Sequence, residues 1–261
     1  MIRYLRFLHE GEVKYGIIHD EKVEVLQGKS FSEFTGSNIF VDLTEIDILP
    51  PCTPEKIICT GLNYSDTILE DGASIPKKPL LFLKAPSAII HNKDSIVKNQ
   101  MVEILTCEAE LAVVIGKKGK CIPVEEAESY IWGYRIANDV TAKDLQKEDI
   151  QWTRAKSFDT FLPLSHEIVG DIKSDNLEIV TTVNGNIVQK GNTKDMIFDI
   201  PYLISYISHV MTLSEGDIIL TGTPGGYGKV IDDGDTVTIK IENLGSITNT
   251  VISSNNNWCF K

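Results

Sequence analysis

The run TCEAELAVVIG, residues 106–116, sets two acidic side chains directly ahead of an unbroken apolar segment rich in β-branched residues. Such a segment reads as a buried strand, and a strand sends residues i and i+2 to one face. Glu108 and Glu110 therefore point together. Two adjacent carboxylates repel unless a cation or proton sits between them, so a hard metal ion is a natural explanation. Taken alone, the pair is explained more simply as a polar edge ahead of a buried strand.

Outward from this strand the same character repeats. KIICTGL (56–62), PLLFLKA (79–85), WGYRIAN (132–138), LEIVTTVNGNIV (177–188), DIILTGT (217–223) and DTVTIKIENLG (235–245) all read as strands. Asn184-Gly185 lies between two alternating segments and predicts a hairpin, because a type I′ turn needs positive φ at both central positions. Charged and apolar positions at helical spacing predict helices over 123–130, 141–147 and 201–211. The sum is a β-rich α+β fold without regular βαβ alternation. At the N-terminus RYLRFL, GEVKYGIIH and DEKVEVL read as short strands with turns at Glu10-Gly11 and Asp20-Glu21. Pro50-Pro51 breaks helix and strand alike, which predicts a small N-terminal β domain over 1–51 and a catalytic domain over 52–261.

Composition bounds the function. A hydrophobic share of 42% and a charged share of 24% are those of an ordinary globular protein. Lys+Arg 25 against Asp+Glu 37 leaves a net charge of −12, which disfavours nucleic acid as a partner. No apolar run approaches the roughly 20 residues that span a bilayer. The opening MIRYLRFLHE meets charge too soon for a signal peptide, so a cytoplasmic protein without a membrane partner is expected. Cys52, Cys59, Cys107, Cys121 and Cys259 are scattered and odd in number, which suits buried free thiols.

Three further places carry candidate chemistry. Asp139 follows WGYRIAN and precedes a predicted helix, a position that suits a third metal ligand and equally a helix N-cap. With Glu108 and Glu110 it would fill half of an octahedral shell and leave room for a chelating 2-oxo acid. Three carboxylates outweigh a divalent ion by one charge, so an anionic substrate needs added cations. Lys156, within RAKSFDTF, and Lys143 are the candidates, with a snorkelling surface lysine as the alternative for Lys156. LTGTPGGYG, residues 220–228, suits either an anion cradle of backbone N–H groups or a structural turn. It lacks the Walker lysine, and GxGxxG is absent, which excludes nucleotide binding of those kinds.

Taken in order, GLNYSDTILE, CEAELAVVIG, WGYRIANDVTAKDLQ, QWTRAKSFDTF and ILTGTPGGYG resemble the successive blocks of the fumarylacetoacetate hydrolase family. The resemblance runs from about Lys56 to Gly228, and residues 1–51 look like the small β appendage of bacterial members. It implies a mixed β-sandwich roll, a homodimer and a Mg2+ or Mn2+ cofactor on Glu108, Glu110 and Asp139. It further implies Lys156 as an active-site lysine, Gln146 as a polar substrate-side residue and Thr223 as the contact for the substrate carboxylate.

Two positions depart from the family pattern. Thr67 stands where hydrolytic members carry the histidine that activates water with a glutamate three residues on, although Glu70 is retained. A hydroxyl is no base near neutral pH, so hydrolysis would rest on Glu70 or on a histidine folded nearby from among His9, His19, His91, His166 and His209. Lys143 replaces the usual arginine and turns planar bidentate recognition into a point charge. The implied activity is metal-dependent C–C bond cleavage of a small anionic 2-oxo acid through a metal-bound enolate. Oxaloacetate-like decarboxylation leads, followed by acylpyruvate or fumarylacetoacetate-like hydrolysis. Isomerisation of an unsaturated 2-oxo diacid comes third. A catalytically silent metal- or ligand-binding homologue is the contrasting class.

Overall fold

The computed structural model describes residues 1–72 and 74–254. Ala109–Ile115 is a strand buried at every position. Ala109, Leu111, Val113 and Ile115 enter one core and Ala112 and Val114 another. A strand covered on both faces needs apolar side chains throughout, which is why its sequence is continuous rather than alternating. By the same period of two, Glu108 and Glu110 extend the face of Ala112 and Val114.

This strand lies inside a 13-stranded mixed sheet. From one edge the main path runs Thr35–Asp42, Lys22–Gln27, Glu12–His19, Ile2–His9, Ile168–Gly170, Ile131–Asn138, Ala109–Ile115, Ile218–Leu220, Ile57–Gly61 and Leu80–Lys84. Most neighbours are antiparallel, but Ile218–Leu220 pairs parallel with Ile57–Gly61. The N-terminal strands keep a small core of Leu5, Phe7 and Val23. They also continue the large sheet, because Ile2 pairs with Gly170 and Tyr4 with Ile168.

A second, five-stranded sheet contributes Ile179, Ile239, Ile247 and Val251 to the core that receives Leu111 and Val113. It contains the predicted hairpin of Glu178–Val183 and Asn186–Asn192, with φ of 52° at Asn184 and 79° at Gly185. The result is a β-rich α+β fold with few helices. Ile200–Val210 is the longest of them, capped by the Asp199 carboxylate accepting from the Tyr202 amide at 2.9 Å.

Three local expectations need correction. Residues 124–130 form a 3-10 helix rather than an α-helix, since only Ala127 is buried and no apolar stripe steadies a wider turn. Within 141–147, Thr141–Ala142 pairs as a strand with Leu105–Cys107 before the helix begins at Lys143. Cys52, Cys59 and Cys107 are buried free thiols, whereas Cys121 is exposed and Cys259 lies outside the described residues. Ser65–Asp71 and Thr153–Lys156 are short helices that the pattern does not announce. Among the described residues no helix is long and apolar enough to cross a membrane.

The double-sided burial of Ala109–Ile115 has a measurable consequence. Leu111→Ala is expected to cost about 2–5 kcal/mol in denaturant unfolding. Ile187→Ala, at a position 67% exposed, should stay within about 0.5 kcal/mol. Equal effects would contradict the placement of the core.

Candidate metal centre and substrate cleft

Strand register decides where the acidic groups meet. Ala109–Ile115 runs antiparallel to Ile131–Asn138, with Ala109 opposite Asn138. Glu108 thus precedes one strand at the level where Asp139 leaves its neighbour. The Asp139 amide donates to the Glu108 carbonyl at 2.8 Å, and the Glu108 amide donates to Asn138 Oδ1 at 3.0 Å. One oxygen from each of Glu108, Glu110 and Asp139 lies within 4.8 Å of the others, and all three residues are buried.

Two buried lysines neutralise this corner. Lys156 Nζ, on the helix Thr153–Lys156, donates to Glu108 Oε2 at 2.9 Å and to Asp139 Oδ2 at 2.6 Å. Lys84 Nζ, at the end of Leu80–Lys84, donates to Asp139 Oδ1 at 2.6 Å and to the Val140 carbonyl at 3.1 Å. The sequence reading missed Lys84. Its only signal was a lone charge closing an apolar strand, which reads as an exposed strand end. The third donor is the Gly222 amide, 2.7 Å from Glu110 Oε2. Gly222 has φ of 94°, and a Cβ there would stand 2.9 Å from Asn63 Cβ, so a side chain would break this approach.

The charges respond to one another. Burial, then repulsion from Asp139 and Glu108, pushes the Glu110 carboxyl well above its usual range. Burial would raise Asp139 too, but Lys156 and Lys84 prevail and hold it low. Burial opposes the Lys156 ammonium, yet Asp139 and Glu108 reverse that and hold its pKa above the ordinary lysine value. For Lys84 burial wins, and its pKa falls despite Asp139. Of the three carboxyls, Glu110 is the one whose protonated form its surroundings favour.

The donor set is all oxygen and suits a hard divalent ion held by Glu108, Glu110 and Asp139. The charge balance is more favourable than the sequence suggested. With all three carboxyls ionised, two ammonium groups leave one net negative charge, which a divalent ion would convert to one net positive, suited to an anion.

A cleft of about 350 Å³ opens over this corner. The helix Lys143–Glu148 sends Lys143, Gln146 and Lys147 into its wall, as spacings of three and four allow. Phe82 and Trp152, in edge contact at 5.2 Å, supply an apolar side, and Thr223 stands on another. Lys143 Nζ sits 4.9 Å from the Tyr227 ring centre. Leu62, also lining the cleft, has φ of 54°, an uncommon conformation for a branched side chain, at the exit from Ile57–Gly61. A larger groove of about 690 Å³ passes Trp132 and Ile172. Among the described residues, however, only Glu108, Glu110 and Asp139 converge as a potential metal-binding set.

Thr67 and Glu70 both hydrogen-bond to the glycine loop. Thr67 lines the cleft, but its hydroxyl donates to the Thr223 carbonyl at 2.8 Å. Glu70 is exposed and absent from the cleft wall, with both oxygens 2.8 Å from the Gly226 amide. The glycine loop thus directs two of its N–H groups to the protein's own carboxylates, Glu110 and Glu70. Among the described residues no histidine lines the cleft. His91 and His166 meet in a tilted ring contact at 4.7 Å, and His209 Nδ1 lies 2.8 Å from the Ser205 carbonyl.

Removing one member of a buried ion pair exposes its worth. Lys84→Met should destabilise the metal-free protein by about 3–5 kcal/mol, with part of that recovered on adding Mn2+. Because burial and neighbouring carboxylates hold the Glu110 carboxyl above its usual range, metal uptake is expected to displace a proton there, and affinity should rise with pH. Calorimetry in buffers of different ionisation enthalpy should register proton release, and a Mn2+ affinity that stays flat from about pH 6 to about pH 8 would contradict this.

Comparison with known proteins identifies the family. The family model for the fumarylacetoacetate (FAA) hydrolase C-terminal region matches residues 56–252, and the model described as Rv2993c-like, N-terminal, matches residues 2–51. The mitochondrial oxaloacetate tautomerase of Xenopus laevis is 44% identical over 221 residues, covering 80% of this chain and 69% of that protein. The crystal structure of 2-hydroxyhepta-2,4-diene-1,7-dioate isomerase from Mycobacterium marinum is 36% identical with a TM-score of 0.87, covering 98% of this chain and all of that one. Fumarylpyruvate hydrolase from Pseudomonas aeruginosa, solved with Mn2+ and pyruvate, is 26% identical with a TM-score of 0.73 over 84% of this chain and 94% of that one. On its family model, its relatives and its fold, the chain belongs to the fumarylacetoacetate hydrolase family.

Proposed function

We propose that this chain is a divalent-metal-dependent tautomerase of a small 2-oxo diacid, with an oxaloacetate-like substrate. The observation that carries the reading is the commitment of Thr67 to the Thr223 carbonyl and of Glu70 to the Gly226 amide. Neither is placed to activate water as a nucleophile, whereas tautomerisation consumes none: one proton leaves C3 to a solvent water in the cleft and one is returned to the 2-oxo oxygen, with the reverse in ketonisation. The name and 44% identity of the Xenopus laevis relative support the same choice. This order differs from the expectation drawn from the sequence, where decarboxylation leads and isomerisation comes third.

Mg2+ or Mn2+, held by Glu108, Glu110 and Asp139, would supply Lewis-acid polarisation of the 2-oxo group. Lys156 remains an ammonium ion. Two of its N–H groups go to Glu108 and Asp139, and the third serves an oxygen in the cleft whose charge grows as the enol forms. The Thr223 hydroxyl donates to the carboxylate next to the oxo group, and Gln146 offers an amide to the same end of the substrate. Lys143 and Lys147 attract the distal carboxylate as point charges. Phe82 and Trp152 exclude water from one side and strengthen these interactions.

Decarboxylation remains as the second reading, because loss of carbon dioxide also needs an electron sink and no activated water. One assay separates the two. Purified protein with Mg2+ or Mn2+ should accelerate the decay of oxaloacetate enol absorbance faster than it forms pyruvate, and should hydrolyse acylpyruvates slowly at most. Glu110→Gln should abolish the metal-dependent rate, and Lys156→Met should lower kcat by about 10²–10³-fold. Pyruvate formation in step with enol loss would favour decarboxylation. No metal-dependent turnover of any of these substrates would refute the enzyme reading.

A further inference from the structure

We propose that Gln189 is a positioning residue that sets the Thr223 hydroxyl as a hydrogen-bond donor to the substrate carboxylate. The inference rests on the reading of Thr223 as the carboxylate contact.

Gln189 lies on Asn186–Asn192, on the second sheet, and is 3% exposed. Its carboxamide joins three elements. Nε2 donates to Thr223 Oγ1 at 2.8 Å and to the Pro224 carbonyl at 2.7 Å. Oε1 accepts from Thr181 Oγ1 at 2.8 Å and from the Ala109 amide at 3.4 Å. Ala109 is the residue between Glu108 and Glu110, so this one side chain ties the metal strand to the glycine loop.

The orientation of the amide follows from its neighbours. A backbone amide can only donate and a backbone carbonyl can only accept, so the atom facing Ala109 is the oxygen and the one facing Pro224 is the NH2 group. Thr223 Oγ1 is thereby an acceptor toward Gln189, and its own proton is left for an acceptor in the cleft it lines. With the amide reversed, the hydroxyl would donate inward and present a lone pair to an anion. Thr67 holds the same residue from the other side through the Thr223 carbonyl.

The local fold is shaped to this contact. The register of the hairpin shifts beside Thr181, the residue opposite Gln189, and such irregularities re-aim side chains. Two residues on, a Cβ at Gly191 would lie 2.2 Å from the Pro224 side chain, so only glycine lets the loop settle against this strand.

The test uses the full chain saturated with Mn2+ and oxalate as the probe, with affinities from calorimetry. Thr223→Val and Gln189→Met should each weaken oxalate binding by about tenfold, the loss of one hydrogen bond to a charged group. The double variant should bind no more weakly than Thr223→Val alone, because Gln189 acts through that hydroxyl. In turnover the loss should appear mainly in KM. Losses that multiply in the double variant would make Gln189 a merely structural residue and overturn the proposal, as would unchanged affinity in Gln189→Met. Should Gln189→Met lose its cooperative melting, Thr181→Val carries the same test, with a loss of about threefold that vanishes when Thr223 is already valine. Oxalate binding that is normal in Thr223→Val would sink the assignment of Thr223 itself, a failure distinct from that of Gln189.

Discussion

Everything at the cleft depends on holding three carboxylates together away from water. Unaided, Glu108, Glu110 and Asp139 would repel one another strongly at the separations seen. Lys156 spans two of them, Lys84 takes the second oxygen of Asp139, and the Gly222 amide takes Glu110. These groups come from separate parts of the chain, so the charge cluster requires the finished fold. The cost of desolvating five ionisable side chains is offset only when all are in register. An arrangement of this kind is poor as a source of stability and useful as a binding site for a cation and an anion.

The sheet supplies the rigidity that the cluster needs. Glu108 and Asp139 flank paired strands that are buried on both faces, so their backbone positions are fixed by hydrogen bonds and packing. The other groups on the cleft wall sit on shorter elements, notably the partly exposed Lys143–Glu148 and the buried loop that bears Thr223. A family can keep the first set while altering the second, which changes the reaction without rebuilding the metal corner. At Thr67, where the family resemblance implies a base in hydrolytic members, the hydroxyl donates to the Thr223 carbonyl.

Legibility in the sequence followed the range of the forces involved. The strand of residues 109–115, the Asn184-Gly185 turn and the long C-terminal helix were readable, because apolar periodicity, positive φ and capping act within a few residues. The convergence of Glu108 and Glu110 was readable for the same reason. The short helices Ser65–Asp71 and Thr153–Lys156 were not, since too few turns accumulate a pattern. Lys84 escaped for a different reason. A lysine at a strand end is ordinarily solvated, and only the arrival of Asp139 from 55 positions further along the chain makes its burial tolerable.

By itself the sequence determined a β-rich fold, the pairing of Glu108 with Glu110 on one strand face and, through its ordered motifs, the family. Tertiary structure decided that Asp139 and two lysines complete that corner, and that no histidine reaches the cleft wall. It also decided that Glu70 and the glycine loop satisfy each other rather than a substrate. The division has a physical basis. Backbone conformation and side-chain alternation are set by near neighbours, whereas electrostatic compensation and hydrogen-bond commitment depend on which distant groups the closed sheet brings within about 3 Å.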